Sequence, residues 1–194
     1  IPKSVKGLNV YTIDDIDSAI KNCDFVFSAL DSDIAKAYEE KYAVHMPVIS
    51  NASTHRKTSD VPMLIPEIKA EHIDIIPLQQ KNRGWKGFIA VKPNCSLQSY
   101  LTPLFALHKR FGLDKVIVTT MQAVSGAGHP GVSSYDIIDN IIPYIKGEEE
   151  KTEQEPLKIL GSIKGSEIIN ADDIIDVYSC VKSRRGRACL GKEV

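Results

Sequence analysis

At 194 residues, with 43% hydrophobic and 25% charged side chains, the chain has the composition of an ordinary globular protein with room for one good core or a domain and a half. A formal net charge of −1 argues against a general nucleic-acid binder, and no apolar run approaches the ~20 residues of a membrane span. Cys23, Cys95, Cys180 and Cys189 show no CxxC pair and no framework spacing, so a reducing, cytoplasmic setting without a metal site is expected.

The opening, Ile1-Pro2-Lys3, lacks both a signal-peptide layout and an initiator Met, which suggests a chain that begins partway through something larger. Residues 8–12 read as a short strand and 13–20 as a helical turn or two. Asp24 to Leu30 is a near-continuous apolar run, as expected of a parallel strand buried on both faces. Asp31-Ser32-Asp33 then caps a helix to about Tyr42, with Ile34, Ala35, Tyr38 and Tyr42 on its inner side. Pro47 to Ser50 is the next strand. This strand-helix-strand alternation is the grammar of a doubly wound α/β layer.

Residues 51–87 hold no long periodic segment: 60–67 looks extended and proline-punctuated, and Asn82-Arg83-Gly84 looks like a turn. An apolar β segment (Phe88 to Val91) then ends at Lys92-Pro93, and a helix starts near Ser96. Leu97, Tyr100, Leu101, Leu104, Phe105 and Leu107 recur at helical spacing as far as Phe111, and Gly112 supplies the stop. Cys95 therefore sits at a strand-to-helix turn, where unpaired backbone N–H groups and the positive end of the helix dipole favour thiolate, the nucleophilic form. The competing reading is a buried, inert cysteine.

Lys115 to Ala123 is rich in β-branched residues and reads as a strand. Residues 125–131 are too rich in glycine for regular structure. Residues 133–146 carry a helical pattern (Tyr135, Ile138, Ile142) ending near Pro143, and Gly147 to Gly161 is an acidic segment with helix-like spacing.

Several local motifs stand in one order: Phe27-Ser28-Ala29-Leu30, Ser50-Asn51-Ala52-Ser53-Thr54-His55-Arg56, Val61-Pro62 through Pro66-Glu67, Gly84-Trp85-Lys86-Gly87-Phe88-Ile89, Pro93-Asn94-Cys95-Ser96, Gln122-Ala123-Val124-Ser125-Gly126-Ala127-Gly128 and Ile142-Pro143-Tyr144-Ile145 before Gly147-Glu148-Glu149-Glu150-Lys151. Together they resemble the aspartate-semialdehyde dehydrogenase family, in the branch found in archaea and fungi, over about residues 5–177.

The resemblance implies an NADP-dependent oxidoreductase that reduces aspartyl phosphate to aspartate semialdehyde through a cysteine thioester, in lysine, threonine and methionine biosynthesis. It makes Cys95 the nucleophile and Gln122 the residue holding substrate beside it. Asn94 and Arg56 would meet phosphate or acyl phosphate, and Glu148 and Lys151 the substrate amino group and phosphate. For Arg56 the alternative is a surface arginine, and for the Glu148/Lys151 pair a solvated helix face. Cofactor contacts are expected from Ser28, Ala29, Asn51, Ser125 and Gly126. His55 and His129 are expected to be loop or supporting histidines, because the family's base lies further along. The partners implied are the small-molecule substrate, phosphate and a second copy of the chain, as a homo-oligomeric dimer or tetramer.

The fold expected is α/β: a partial Rossmann-like NADP-binding domain over 1–92, then a mixed α+β catalytic and dimerisation domain over 93–194. Two departures from the family accompany it. The Gly-rich opening turn has no counterpart, since Gly7 is the only glycine before Gly84, and from about 178 the tail is atypical and contains no histidine. That tail reads as a basic patch, as a solvated end, or as the product of a truncated or frame-shifted gene, and the last is preferred. Malonyl-CoA reductase is similar over the same motifs and is the alternative enzyme. A non-catalytic dimerising remnant is the alternative from another class.

Overall fold

The computed structural model describes residues 6–113, 115–127, 131–171 and 175–183, the last stretch and Ser134 by backbone alone. The chain forms two compact units, Ile1–Met63 with Ile73–Lys92 and Leu64–His72 with Pro93–Val194.

The first unit is built on three parallel strands in the order β1-β2-β3: β1 Val26–Ser28, β2 Val48–Ser50 and β3 Ile89–Val91. Val26 stands opposite Val48, and Val48 opposite Ile89, so the carboxyl ends of all three strands finish together. α1 (Ile16–Asn22) is capped by Asp15, whose carboxylate accepts the Ser18 N–H at 3.1 Å. α2 (Ser32–Ala43) turns Ala35, Glu39 and Ala43 inward.

Three expectations fail here. Residues 8–12 form no strand, and Leu8 and Val10 lie 67% and 96% exposed, with no strand paired to them among the described residues. Among the described residues β1 lies at the edge of its sheet rather than buried on both faces, and Phe27 is 75% exposed. Ile34 points outward, and a carboxylate, Glu39, takes the inner position instead.

The stretch 51–87 is more helical than its sequence suggests. α3 (Pro66–Lys69) leads through a 3-10 stretch, Ala70–Ile75, to α4 (Ile76–Arg83). Proline in the first turn suits both helices, because an N–H there has no partner to lose. Asn82 and Arg83 thus continue a helix, and Gly84 ends it at φ 67°. What anchors α4 is polar: buried Gln79 donates to the carbonyls of Asp60 and Ile89 at 2.8 and 3.0 Å and accepts the Ile89 N–H at 2.7 Å.

In the second unit α5 (Cys95–Phe111) buries Leu97 and Leu101, while Leu107 and Phe111 remain exposed. β4 (Val116–Ala123) pairs in parallel with β8 (Ile175–Ser183), which pairs antiparallel with β5 (Ile141–Ile142). Residues 178–183 of the expected atypical tail thus lie within a strand, and 184–194 lie outside the described residues.

The helical pattern over 133–146 is realised only as α6 (Ser134–Ile137). Tyr135 and Ile138 are exposed, Ile137 is the buried residue, and β5 takes Ile142. Likewise the glycine-rich segment begins with a 3-10 turn, Val124–Ala127, before residues 128–130, which lie outside the description.

The acidic segment forms α7 (Glu148–Leu160), followed by an antiparallel hairpin of β6 (Ser162–Lys164) and β7 (Glu167–Ile169). The end of α7 is tightly held. The Gly161 carbonyl accepts Lys69 Nζ at 2.7 Å and His72 Nε2 at 3.1 Å, placing cationic and N–H donors at the negative end of the helix dipole.

Candidate active site

Pro93 ends the extended passage after β3, and Asn94 is the N-cap of α5, with φ −54° and ψ 145°. Cys95 is therefore the first helical residue, and its side chain is exposed. The Asn94 side chain makes no capping bond to its own helix. Its Nδ2 donates to Glu148 Oε1 at 2.5 Å, and its Oδ1 accepts from Cys95 Sγ at 3.5 Å.

Glu148 is the meeting point. Gln122, on the inward-facing alternation of β4, donates through Nε2 to the same Oε1 at 3.0 Å, and Ser96 Oγ reaches it at 3.5 Å. Lys151 Nζ lies 3.7 Å from Oε2, one helical turn on, as the ExxK spacing requires. The carboxylate is only 6% exposed. Its position in the first turn of α7 favours negative charge, and the converging donors compensate its burial. The second unit thus brings Cys95, Asn94, Gln122, Glu148 and Lys151 together around one buried anion. Ser125 and Gly126 lie exposed in the 3-10 turn after β4, and among the described residues neither hydrogen-bonds to that cluster.

The remaining candidates belong to the first unit and lie at the carboxyl ends of its strands. The Asn51 N–H donates to the Ser28 carbonyl at 2.8 Å, and the Asn51 carbonyl accepts from Arg56 Nη2 at 2.9 Å. Arg56 is 8% exposed, so it is not a surface arginine. Ser28 Oγ is buried with no hydrogen-bond partner among the described residues, and Ala29 beside it is exposed. Both line a cavity of about 380 Å³ whose walls include Tyr11, Cys23, Phe27 and Tyr42.

His55 is buried against Glu39, with Nε2 3.7 Å from Oε2. Burial pushes its imidazole below the ordinary histidine range, against the opposing pull of Glu39. That carboxylate also accepts from Ser50 Oγ at 2.6 Å, so His55 supports the 50–56 loop from behind. His129 lies outside the described residues.

Two residues at the cluster were not singled out from sequence. Ser96 is the motif's own next residue. Glu155 accepts the Asn94 backbone N–H at 2.6 Å, and its only sequence signal is its position two helical turns beyond Glu148.

Residues 1–76 match the description "semialdehyde dehydrogenase, NAD binding domain", and residues 104–182 match "semialdehyde dehydrogenase, dimerisation domain". The aspartate-semialdehyde dehydrogenase of Archaeoglobus fulgidus is 53% identical over 155 residues, covering 78% of this chain and 44% of that one. The NADP complex of aspartate semialdehyde dehydrogenase from Candida albicans superposes with a TM-score of 0.81 at 35% identity, over 94% of this chain and 53% of that one. The malonyl CoA reductase (NADP) of Metallosphaera sedula is 39% identical over 165 residues, covering 84% of this chain and 46% of that one. The chain spans about half the length of the curated relatives it matches.

Proposed function

The chain belongs to the semialdehyde dehydrogenase family, and from that premise we propose that Cys95 is the acyl-carrying nucleophile of an aspartate-semialdehyde dehydrogenase reaction. The observation that supports this reading is the convergence of Asn94, Ser96, Gln122 and Lys151 on Glu148, next to an exposed thiol at the start of a helix.

In this reading the Cys95 thiolate attacks the acyl carbon of aspartyl phosphate. A C–S bond forms, the C–O bond to phosphate breaks, and inorganic phosphate leaves with the electron pair. Sulfur suits both halves of the task, since the thiolate must later depart as aspartate semialdehyde forms. The Gln122 amide donates to charge developing on the acyl oxygen, and being neutral it does so without titrating. Glu148 offers its carboxylate to the substrate ammonium, and Asn94 and Lys151 offer donors to phosphate. Arg56, in the first unit, supplies the planar fork suited to a tetrahedral oxyanion.

Ser28, Ala29 and Asn51 are the first unit's residues for holding NADP, and Ser125 and Gly126 are the second unit's. Ser28 Oγ, without a hydrogen-bond partner among the described residues, fits that assignment, because it lies at the carboxyl end of a parallel strand, where open α/β sheets bind ligands. When bound, the reduced cofactor supplies the hydride that reduces the acyl carbon. The match to a dimerisation domain supports a homo-oligomer, a dimer or tetramer, and four cysteines without framework spacing favour a cytoplasmic setting. Among the described residues no helix is long and apolar enough to cross a membrane.

Peptide-resolved alkylation with iodoacetamide tests the reading, with exposed Cys23 as internal reference. Cys95 is expected to react roughly tenfold faster or more, as an activated thiol at a helix start does, and to be slowed by aspartate semialdehyde. Protection by malonyl-CoA instead would move the assignment to a malonyl-CoA reductase, which the Metallosphaera sedula relative keeps in view. Equal rates at the two cysteines, with no protection, would overturn the enzymatic reading in favour of a non-catalytic dimerising remnant.

A further inference from the structure

The start of α5 poses a capping problem that its own sequence does not solve. The N-cap backbone N–H of a helix has no intrahelical acceptor, and a common remedy is a Glu or Gln three residues on that reaches back to it. Here that position is Leu97, fully buried and apolar. Nor does Asn94 use its side chain to cap the turn. The acceptor comes from another helix: Glu155 of α7 takes the Asn94 N–H at 2.6 Å, and Glu155 is itself only 6% exposed.

A buried carboxylate is costly to place, and the Asn94 N–H is one of the partners that hold this one. Its placement gives a reason. Glu148 and Glu155 stand two turns apart on α7, and both reach Asn94, one at its side-chain amide and the other at its main-chain N–H. With its main chain held by Glu155, Asn94 is fixed from both sides, and its amide reaches Glu148 through Nδ2 and the Cys95 thiol through Oδ1.

We propose that Glu155 is a positioning residue for the nucleophile turn: from a neighbouring helix it holds the Asn94 N–H that opens α5, and so fixes the Asn94 side chain that meets Cys95. This rests on the reading of Cys95 as nucleophile. The chemistry Glu155 must supply is a buried oxygen acceptor at that point. A glutamine can keep it, and an alanine cannot.

The test compares the full chain with E155Q and E155A by amide hydrogen exchange at Asn94 and Cys95 and by the Cys95-to-Cys23 alkylation ratio. In E155A, exchange at Asn94 should rise roughly tenfold or more, as loss of a hydrogen bond to a charged acceptor implies, and the alkylation ratio should fall toward one. In E155Q both should stay near the parent, with Leu101 exchange unchanged in either variant. The proposal is overturned if E155A leaves Asn94 exchange at the parent value, or if E155Q fails as badly as E155A. It is equally overturned if Asn94 exchange rises while a parent ratio well above one stays unchanged. A parent ratio of one counts against the nucleophile reading alone, and the exchange comparison then decides the role of Glu155.

Discussion

Glu148 accepts from Asn94 and Gln122 through one oxygen, so removing its carboxylate takes that acceptor from both amides and leaves Gln122 Nε2 only a 3.4 Å contact to Thr120 Oγ1. Glu148→Ala is expected to destabilise the fold by about 1–3 kcal/mol, the cost of an unsatisfied buried polar group, read as a shift in urea midpoint. His72 sets a different dependence. Its Nε2 must donate to the Gly161 carbonyl, leaving Nδ1 buried with no partner among the described residues, and burial pushes its pKa down. His55 is depressed for the same reason. A folded-state pKa below the unfolded value of about 6.5 means stability is full above that pH and is lost as pH falls through the folded values. Urea denaturation at successive pH values should therefore show an acid loss, and His72→Gln should flatten part of it. At this scale Cys95 and Asn94 were legible because local motif and turn chemistry coincide in a few neighbouring positions. Glu155 was not, because among the many acids of its segment only the fold distinguishes the one that meets a backbone N–H.

The helices divide by what their inner faces are made of. α5 announces itself through leucines at helical spacing, and Leu97 and Leu101 are indeed buried. Truncating either to alanine should cost about 2–5 kcal/mol, whereas Phe111→Ala, at a site 75% exposed, should stay within about 0.5 kcal/mol; thermal melts compare them. α4 was illegible because its inward residue is Gln79, a polar side chain that periodicity counts as surface. The 133–146 pattern misled for the converse reason, since Tyr135 and Ile138 are apolar yet exposed. Gly87, within the 84–89 motif, has a steric duty. A Cβ there would lie 2.0 Å from the Met46 carbonyl oxygen, so the backbone after α2 must move to admit any side chain. Gly87→Ala should destabilise by roughly 1–3 kcal/mol, visible as a lowered Tm with the second unit's exchange pattern retained.

Across the whole molecule, the α/β class was readable because strand-helix-strand alternation and a single long β-branched strand survive any error in the segments between. The β6–β7 hairpin went unread although Gly165, at φ 63°, marks its turn, because the strands it joins are three residues each. β4 turns Ile117 and Met121 outward, and the proposed self-association gives that apolar face an occupant. Ile117→Glu with Met121→Glu should shift a dimer to monomer in analytical ultracentrifugation. The two donors on the Gly161 carbonyl carry a final consequence, for anyone who would divide the chain. Both lie in 64–72, a stretch that belongs to the second unit but is threaded through the sequence of the first. A single cut between Lys92 and Pro93 would therefore leave α7 without its clasp and strand a foreign strip on the other half. A clean excision of the second unit needs 64–72 spliced back ahead of Pro93, and recombination between homologues should exchange the two segments as a set.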